Sequence, residues 1–232
     1  MIDQLNRIFM SDEHNIPDEI IFINISEYIN SQTAIQLFER THHIIGTNSI
    51  SDIKYSFNFL CNKIHKFCNS NLKTMFPIKL ALIGSDAYIN SFLRFYVDSL
   101  SSKSPDWQNY LRFYIIPSAS NYSTQSSFYL HKYLASIDSA YSSYFFPNNS
   151  HMKEFDLNRE NAASDLSSAH ELYSKVINFF KNAQAFLQIP IAEAMVTYKD
   201  KTADEESNQV FIPFICDAKI GIISLLNQFV EC

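Results

Sequence analysis

Apolar residues along this chain keep two different rhythms. Four short runs are dense in Ile, Leu and Phe: "EIIFINIS" (19–26), "HHIIGTNS" (42–49), "IKLALIGS" (78–85) and "LRFYIIP" (111–117). Each ends in Asn, Ser, Gly or Pro, so the pattern predicts four strands. Between them, apolar residues recur every three to four positions. Residues 31–40 place Ala34, Ile35, Leu37 and Phe38 at helical spacing, and 51–68 put Ile53, Phe57, Leu60, Cys61, Ile64 and Cys68 on one stripe. A helix starting at Asp86 carries Tyr88, Ile89, Phe92, Leu93, Tyr96, Val97 and Leu100 inward. The run at 78–85 is apolar on both faces, as an inner parallel strand must be. Strand and helix alternate four times, which predicts an α/β fold: a mainly parallel, Rossmann-like sheet flanked by helices.

Past Pro117 the rhythm weakens. Residues 118–150 are rich in Ser and Tyr, with one helix expected near 127–136 and irregular chain after it. A long amphipathic helix is predicted over about 164–187, with Leu166, Leu172, Val176, Ile177, Phe180, Ala183 and Leu187 on its inner stripe. "PIAEAMVTY" and "QVFIPFICDAKIGII" then read as a C-terminal antiparallel strand pair around the charged loop "KDKTADEES". With no repeat and no linker, a single domain over 1–232 is expected.

Totals narrow the function classes. Hydrophobic residues make up 47% and charged ones 18%, the balance of a globular chain. Only three glycines occur, at 46, 84 and 221, which argues against loops that cradle phosphate on bare backbone. A net charge of −6 disfavours nucleic acid, because no excess of Lys and Arg is present to displace counterions. The first residues lack the basic start and apolar core of a signal peptide, and no run approaches the ~20 apolar residues of a membrane span. Four cysteines (61, 68, 216 and 232) are sparse for a disulfide framework. A cytoplasmic protein without a transmembrane segment is expected, and the sequons at Asn24, Asn121 and Asn148 carry no weight.

Candidate chemistry is thin. The strand ending in Gly84 leads into a helix, as in dinucleotide-binding folds, but Ser85, Asp86, Ala87, Tyr88 and Ile89 do not complete G-x-G-x-x-G. Asp86 would repel a pyrophosphate, and its expected role is helix capping beside Ser85. Cys61, His65 and Cys68 stand at i, i+4 and i+7, one ligand short of a structural zinc site, and read as residues of an apolar stripe. His42, His43, His131 and His170 have no recognisable partners, no G-x-S-x-G turn is present, and the carboxylates of 204–209 suit a solvated loop. No catalytic, metal or cofactor-binding residue is therefore assigned, and no cofactor is expected. Lys54, Lys63, Lys66, Lys73 and Lys79 form a local basic surplus that would suit an acidic peptide or an anionic membrane surface, or else a solvated helix face. Trp107, the only tryptophan, follows Pro105 and Asp106, a turn where its ring is expected to pack over the sheet edge.

Five stretches taken together resemble the C-terminal portion of the phosphofurin acidic cluster sorting (PACS) proteins. They are "IFINIS" (21–26), "FCNSN" (67–71), "SPDWQNYLRFYIIP" (104–117), "YLASIDSAYSS" (133–143) and "IPIAEAMVTYKDKTADEESNQVFIPFICDAKIGII" (189–223). They stand in the family's order, and the resemblance covers roughly residues 15–223. The segment "SASNYSTQSSFYLHKYL" is longer than its family counterpart, and "SLLNQFVEC" does not match. The resemblance implies a non-enzymatic connector in membrane traffic, working through protein–protein interaction and protein localisation at Golgi, endosome and ER membranes. It also implies protein partners, namely acidic-cluster cargo tails and clathrin adaptors, bound through an N-terminal region that nothing here matches. Peripheral membrane association follows from the same role. The alternative is a degenerate nucleotide- or metabolite-binding α/β domain, since parallel sheets leave a crevice at their strand ends.

Overall fold

The computed structural model describes residues 1–9, 16–27, 43–70, 75–117, 129–146, 162–183, 186, 191–198 and 208–215. The chain divides into two compact units, Met1–Phe186 and Leu187–Cys232. In the first, the four expected strands are present: β1 (Glu19–Asn24), β2 (His43–Thr47), β3 (Ile78–Gly84) and β4 (Leu111–Pro117). They form one parallel sheet in the order β2-β1-β3-β4. The inner strands explain the dense apolar runs, because Ile20–Ile23 and Leu80–Ile83 are fully buried on both faces.

Register sorts the sheet's side chains between two layers. Phe22 lies beside Leu82 and Ile45, and Leu80 beside Phe113, on one face. Helices α2 (Ile50–Ser70) and α3 (Asp86–Leu100) cover that face. Phe92 of α3 packs edge-on to Phe22 at 4.8 Å and to Phe57 of α2 at 5.4 Å. Both helices are right-handed crossovers running toward β4, so they share a side. The opposite face, built from Ile21, Ile23, Ala81, Ile83 and Ile116, meets two C-terminal helices: α5 (Ser139–Phe145) and α6 (Ala162–Asn182). A shorter helix, α4 (Tyr129–Ile137), precedes them.

The predicted stripes match the burial closely. Ile53, Phe57, Leu60, Cys61 and Ile64 of α2 are buried, with Cys68 half-buried. In α3 only Leu93 is half-buried among the predicted inward residues. In α6, Val176 and Phe180 are buried as expected, joined by Phe179, while Leu166, Leu172 and Leu187 fall outside the described side chains. The helix expected at 31–40 likewise lies outside the described residues.

Two elements depart from expectation. The described chain just after residue 136 is helical: Asp138 caps α5, its Oδ1 accepting from the amides of Ala140 (2.9 Å) and Tyr141 (3.3 Å). Tyr141 and Phe145, four apart, then face the sheet and are buried. The N-terminal stretch also forms a helix, α1 (Ile2–Phe9), which buries Leu5, Ile8 and Phe9. Gln4 accepts the amide of Gly46 through Oε1 at 3.1 Å, satisfying a donor on the edge strand β2.

In the second unit, β5 (Ile191–Tyr198) and β6 (Asn208–Ile215) pair antiparallel as a separate two-stranded sheet, with Met195 opposite Phe211. Both of those side chains are exposed, at 57% and 63%. The remainder of the predicted run to Ile223 lies outside the described residues, as does the whole charged loop.

Candidate functional site at the strand ends

A parallel sheet presents its ligand crevice at the carboxyl ends of its strands, where the connections diverge to opposite sides. With the order β2-β1-β3-β4, that point lies between β1 and β3. Here the crevice is bridged. Asn24 ends β1 by accepting the Ser26 amide (3.1 Å) and hydroxyl (2.7 Å) on its own Oδ1, a side-chain turn that starts the 3-10 segment Ile25–Glu27. Glu27 then crosses to the start of α3. Its Oε2 accepts the Ser85 amide at 2.7 Å, and its Oε1 accepts the Ser85 hydroxyl at 2.6 Å.

Ser85 is the N-cap of α3, its Oγ accepting from Tyr88 N at 3.4 Å. The carboxylate of Glu27 thus occupies the position a phosphate takes in nucleotide-binding sheets, on the amide at a helix N-terminus. An incoming anion about 4 Å from it would meet a repulsion of roughly 4 kcal/mol at an effective dielectric near 20. The missing glycines have a geometric counterpart. A Cβ on Gly84 would lie 2.4 Å from Cδ1 of Tyr88, so this glycine admits the tyrosine ring and not a ligand. The Tyr88 hydroxyl donates to Thr47 Oγ1 at 3.0 Å, and Thr47 in turn donates to the Ile23 carbonyl at 3.2 Å. Burial holds the Tyr88 phenol far above its ordinary range, so it stays protonated.

Asp86 differs from its expected role. Ser85 alone caps α3, while Asp86 Oδ2 accepts the Leu130 amide of α4 at 3.0 Å. Behind it lies His131, fully buried, with Nδ1 3.0 Å from the Tyr141 hydroxyl and Nε2 3.1 Å from the Gly84 carbonyl. Asp86 Oδ1 stands 3.7 Å from that same Nε2. Burial lowers the His131 pKa below the ordinary histidine value, opposed by Asp86 and the Gly84 carbonyl. The group ties α4 and α5 to the β3–α3 turn.

Beside the bridge lies a cavity of about 260 Å³, bordered by Asn24, Ser26, Glu27, Thr47, Asn48 and Tyr88. Its polar lining is hydroxyl, amide and one carboxylate, without Lys, Arg or His, and Ile50, Ile53 and Ala87 complete it. That chemistry suits neither a phosphate nor a nucleophile–base pair.

The other candidates come apart. Cys61 is buried and its thiol is pushed up to about 12 by desolvation, so it is neutral at physiological pH, unsuited to attack or to metal. His65 is exposed and stacks on Trp107, ring centres 6.2 Å apart. Among the described residues no three His, Cys, Asp or Glu side chains converge as metal ligands. His43 and His170 are exposed, and His42 and residues 204–207 lie outside the described residues. Two of the lysines have partners within the fold. Lys79 pairs with Glu19 at 2.8 Å, and Lys63 reaches the Phe9 carbonyl at 3.4 Å. Lys54 and Lys66 are exposed, and Lys73 is not described. Trp107 packs at the end of α2: His65, Tyr110 (6.0 Å) and Lys103 Nζ (5.2 Å) all engage its ring. No described helix is long and apolar enough to cross a membrane.

Comparison with known proteins supplies what the crevice does not. A family model described as PACS-1 cytosolic sorting protein matches residues 1–230, past both ends of the stretch where the resemblance was expected. The mouse protein named phosphofurin acidic cluster sorting protein 2 is 36% identical over 222 residues, which is 95% of this chain and 24% of that protein. Its human counterpart is 35% identical over the same length. Mouse phosphofurin acidic cluster sorting protein 1 is 35% identical over 221 residues, 95% of this chain and 22% of its own. The chain therefore spans about a quarter of the length of the curated relatives it matches. No solved structure matches it. A match over nearly the whole chain places this protein in the PACS-1 cytosolic sorting protein family.

Proposed function

We propose that this chain is a non-enzymatic, C-terminal-type module of a membrane-traffic sorting connector. Its two units work as one functional domain that holds protein partners at Golgi, endosome and ER membranes from the cytoplasmic side. The partners would be cargo tails bearing acidic clusters, the feature named in its relatives, together with coat adaptors, engaged directly or through a region beyond this chain. The observation that carries the reading is the Glu27–Ser85 bridge. The crevice that would give an α/β sheet its small-molecule chemistry is stapled by the chain's own carboxylate. Function then falls to the outer surface.

The competing reading is a metabolite-binding domain using the 260 Å³ cavity. Two measurements separate them. Affinity capture with the purified chain should recover coat or cargo components by mass spectrometry, and a labelled chain should overlap Golgi or endosome markers in cells. Thermal melts with mononucleotides should leave the midpoint unmoved. A rise of several degrees with any of them would favour the competing reading, because a ligand that binds only the native state stabilises it.

A further inference from the structure

Seven prolines occur in the chain, and Pro105 alone follows a hydroxyl residue. We propose that Ser104 is the acceptor site of a proline-directed protein kinase, and that its phosphorylation resets the turn around Trp107. The residue before a proline is driven to extended backbone, and Ser104 has φ −63° and ψ 149°. Its side chain is exposed and makes no capping bond to the 3-10 segment Pro105–Tyr110 that it precedes. An unengaged hydroxyl on an extended residue, followed by a proline that has no N–H to satisfy, is the presentation such kinases read.

The transfer balances simply. Ser104 Oγ bonds to the γ-phosphorus of ATP, its proton passes to the kinase's catalytic aspartate, and the bond to the bridging oxygen breaks to release ADP. One local contact opposes access: the Ser104 carbonyl accepts the Trp107 amide at 3.0 Å. Opening a single backbone hydrogen bond lowers the rate about tenfold relative to an unfolded peptide.

The consequence follows from the neighbour. Lys103 Nζ lies 5.2 Å from the Trp107 ring centre, on a side chain adjacent to the new phosphate. A charge-assisted bond to a phosphate dianion outweighs an exposed cation–π contact, so the ammonium leaves the indole for Ser104. Asp106, exposed two residues on, is repelled by the same charge and loosens the 3-10 turn. The sorting role is not needed for any of this.

The test uses the purified full chain, ATP and an active mitogen-activated protein kinase, with the S104A chain and a synthetic peptide of residues 98–112 in parallel. Intact mass should show one phosphate on the chain, mapped to Ser104 and absent from S104A. Emission from the sole tryptophan should change on phosphorylation, and K103M should show the part due to the lost ammonium beforehand, leaving a smaller change from the loosened turn afterwards. S104A loses no side-chain bond and keeps the fold, as far-UV circular dichroism will verify. A chain that takes no phosphate overturns the assignment, whether or not the peptide is labelled, as does equal labelling of S104A. Phosphorylation that leaves the emission unchanged overturns the transfer of Lys103.

Discussion

The bridge across the crevice can be tested by removing Glu27. Its carboxylate accepts two short hydrogen bonds from Ser85, at 2.7 and 2.6 Å, and sits on the N-terminus of α3. Charge-assisted bonds are worth about 1.5–3 kcal/mol each when buried, but Glu27 is only half-buried and borders a cavity. Water can replace part of what Glu27→Ala removes, so a net loss of about 2 kcal/mol is expected. For a chain of this size each kcal/mol lowers the melting midpoint by roughly 2–4 °C, giving a fall of about 4–8 °C. Glu27→Gln separates charge from shape. It keeps one acceptor oxygen but loses the favourable charge at the helix end, so it should retain about half of the lost stability. Thermal and urea unfolding by circular dichroism would read both. If Glu27→Ala melted within a degree of the parent, the carboxylate would not hold the crevice shut, and the case against a ligand there would fail with it.

Three further outcomes follow from the same neighbourhood. Gly84→Ala drives a methyl to 2.4 Å from the Tyr88 ring, so the ring must leave Thr47; a loss of about 1–3 kcal/mol in urea unfolding is expected, and Tyr88→Ala in the same chain should remove most of that penalty. His131 takes its proton less readily in the fold than near 6.5, where the unfolded chain does, so its contribution to stability falls as pH drops below about 6.5 and levels off once the folded form is also protonated. Urea midpoints across pH 7.5 to 5 should fall less steeply for His131→Gln than for the parent, and parallel slopes would refute the buried neutral histidine. Asp138→Ala strips the cap from α5 and should cost about 0.5–2 kcal/mol, with far-UV circular dichroism before unfolding little changed.

What the sequence revealed and what it hid divide along a physical line. β1 and β3 were legible because a strand buried on both faces must be apolar at every position, and Ile20–Ile23 and Leu80–Ile83 are. α2 and α3 were legible because 3.6-residue spacing leaves a stripe. α5 was not, since seven residues rich in Ser and Tyr leave too short a stripe, and its start depends on one aspartate cap. α1 escaped for the same reason of length. Family membership was readable in five stretches, because order and spacing add specificity that no single stretch has.

The crevice belongs to a different class of information. Its location follows from connectivity, which the alternation of strand and helix discloses. Its contents do not. Glu27 and Ser85 are 58 positions apart, and His131 and the Gly84 carbonyl 47 apart. No periodicity links them, and each is an ordinary polar residue where it stands. The scarce glycines argued against a phosphate loop, but they gave no sign of the bridge that stands at the strand ends. A fold that places a helix N-terminus in a cleft must satisfy that N-terminus with something, a bound anion, water or its own carboxylate. This chain uses its own carboxylate, that of Glu27.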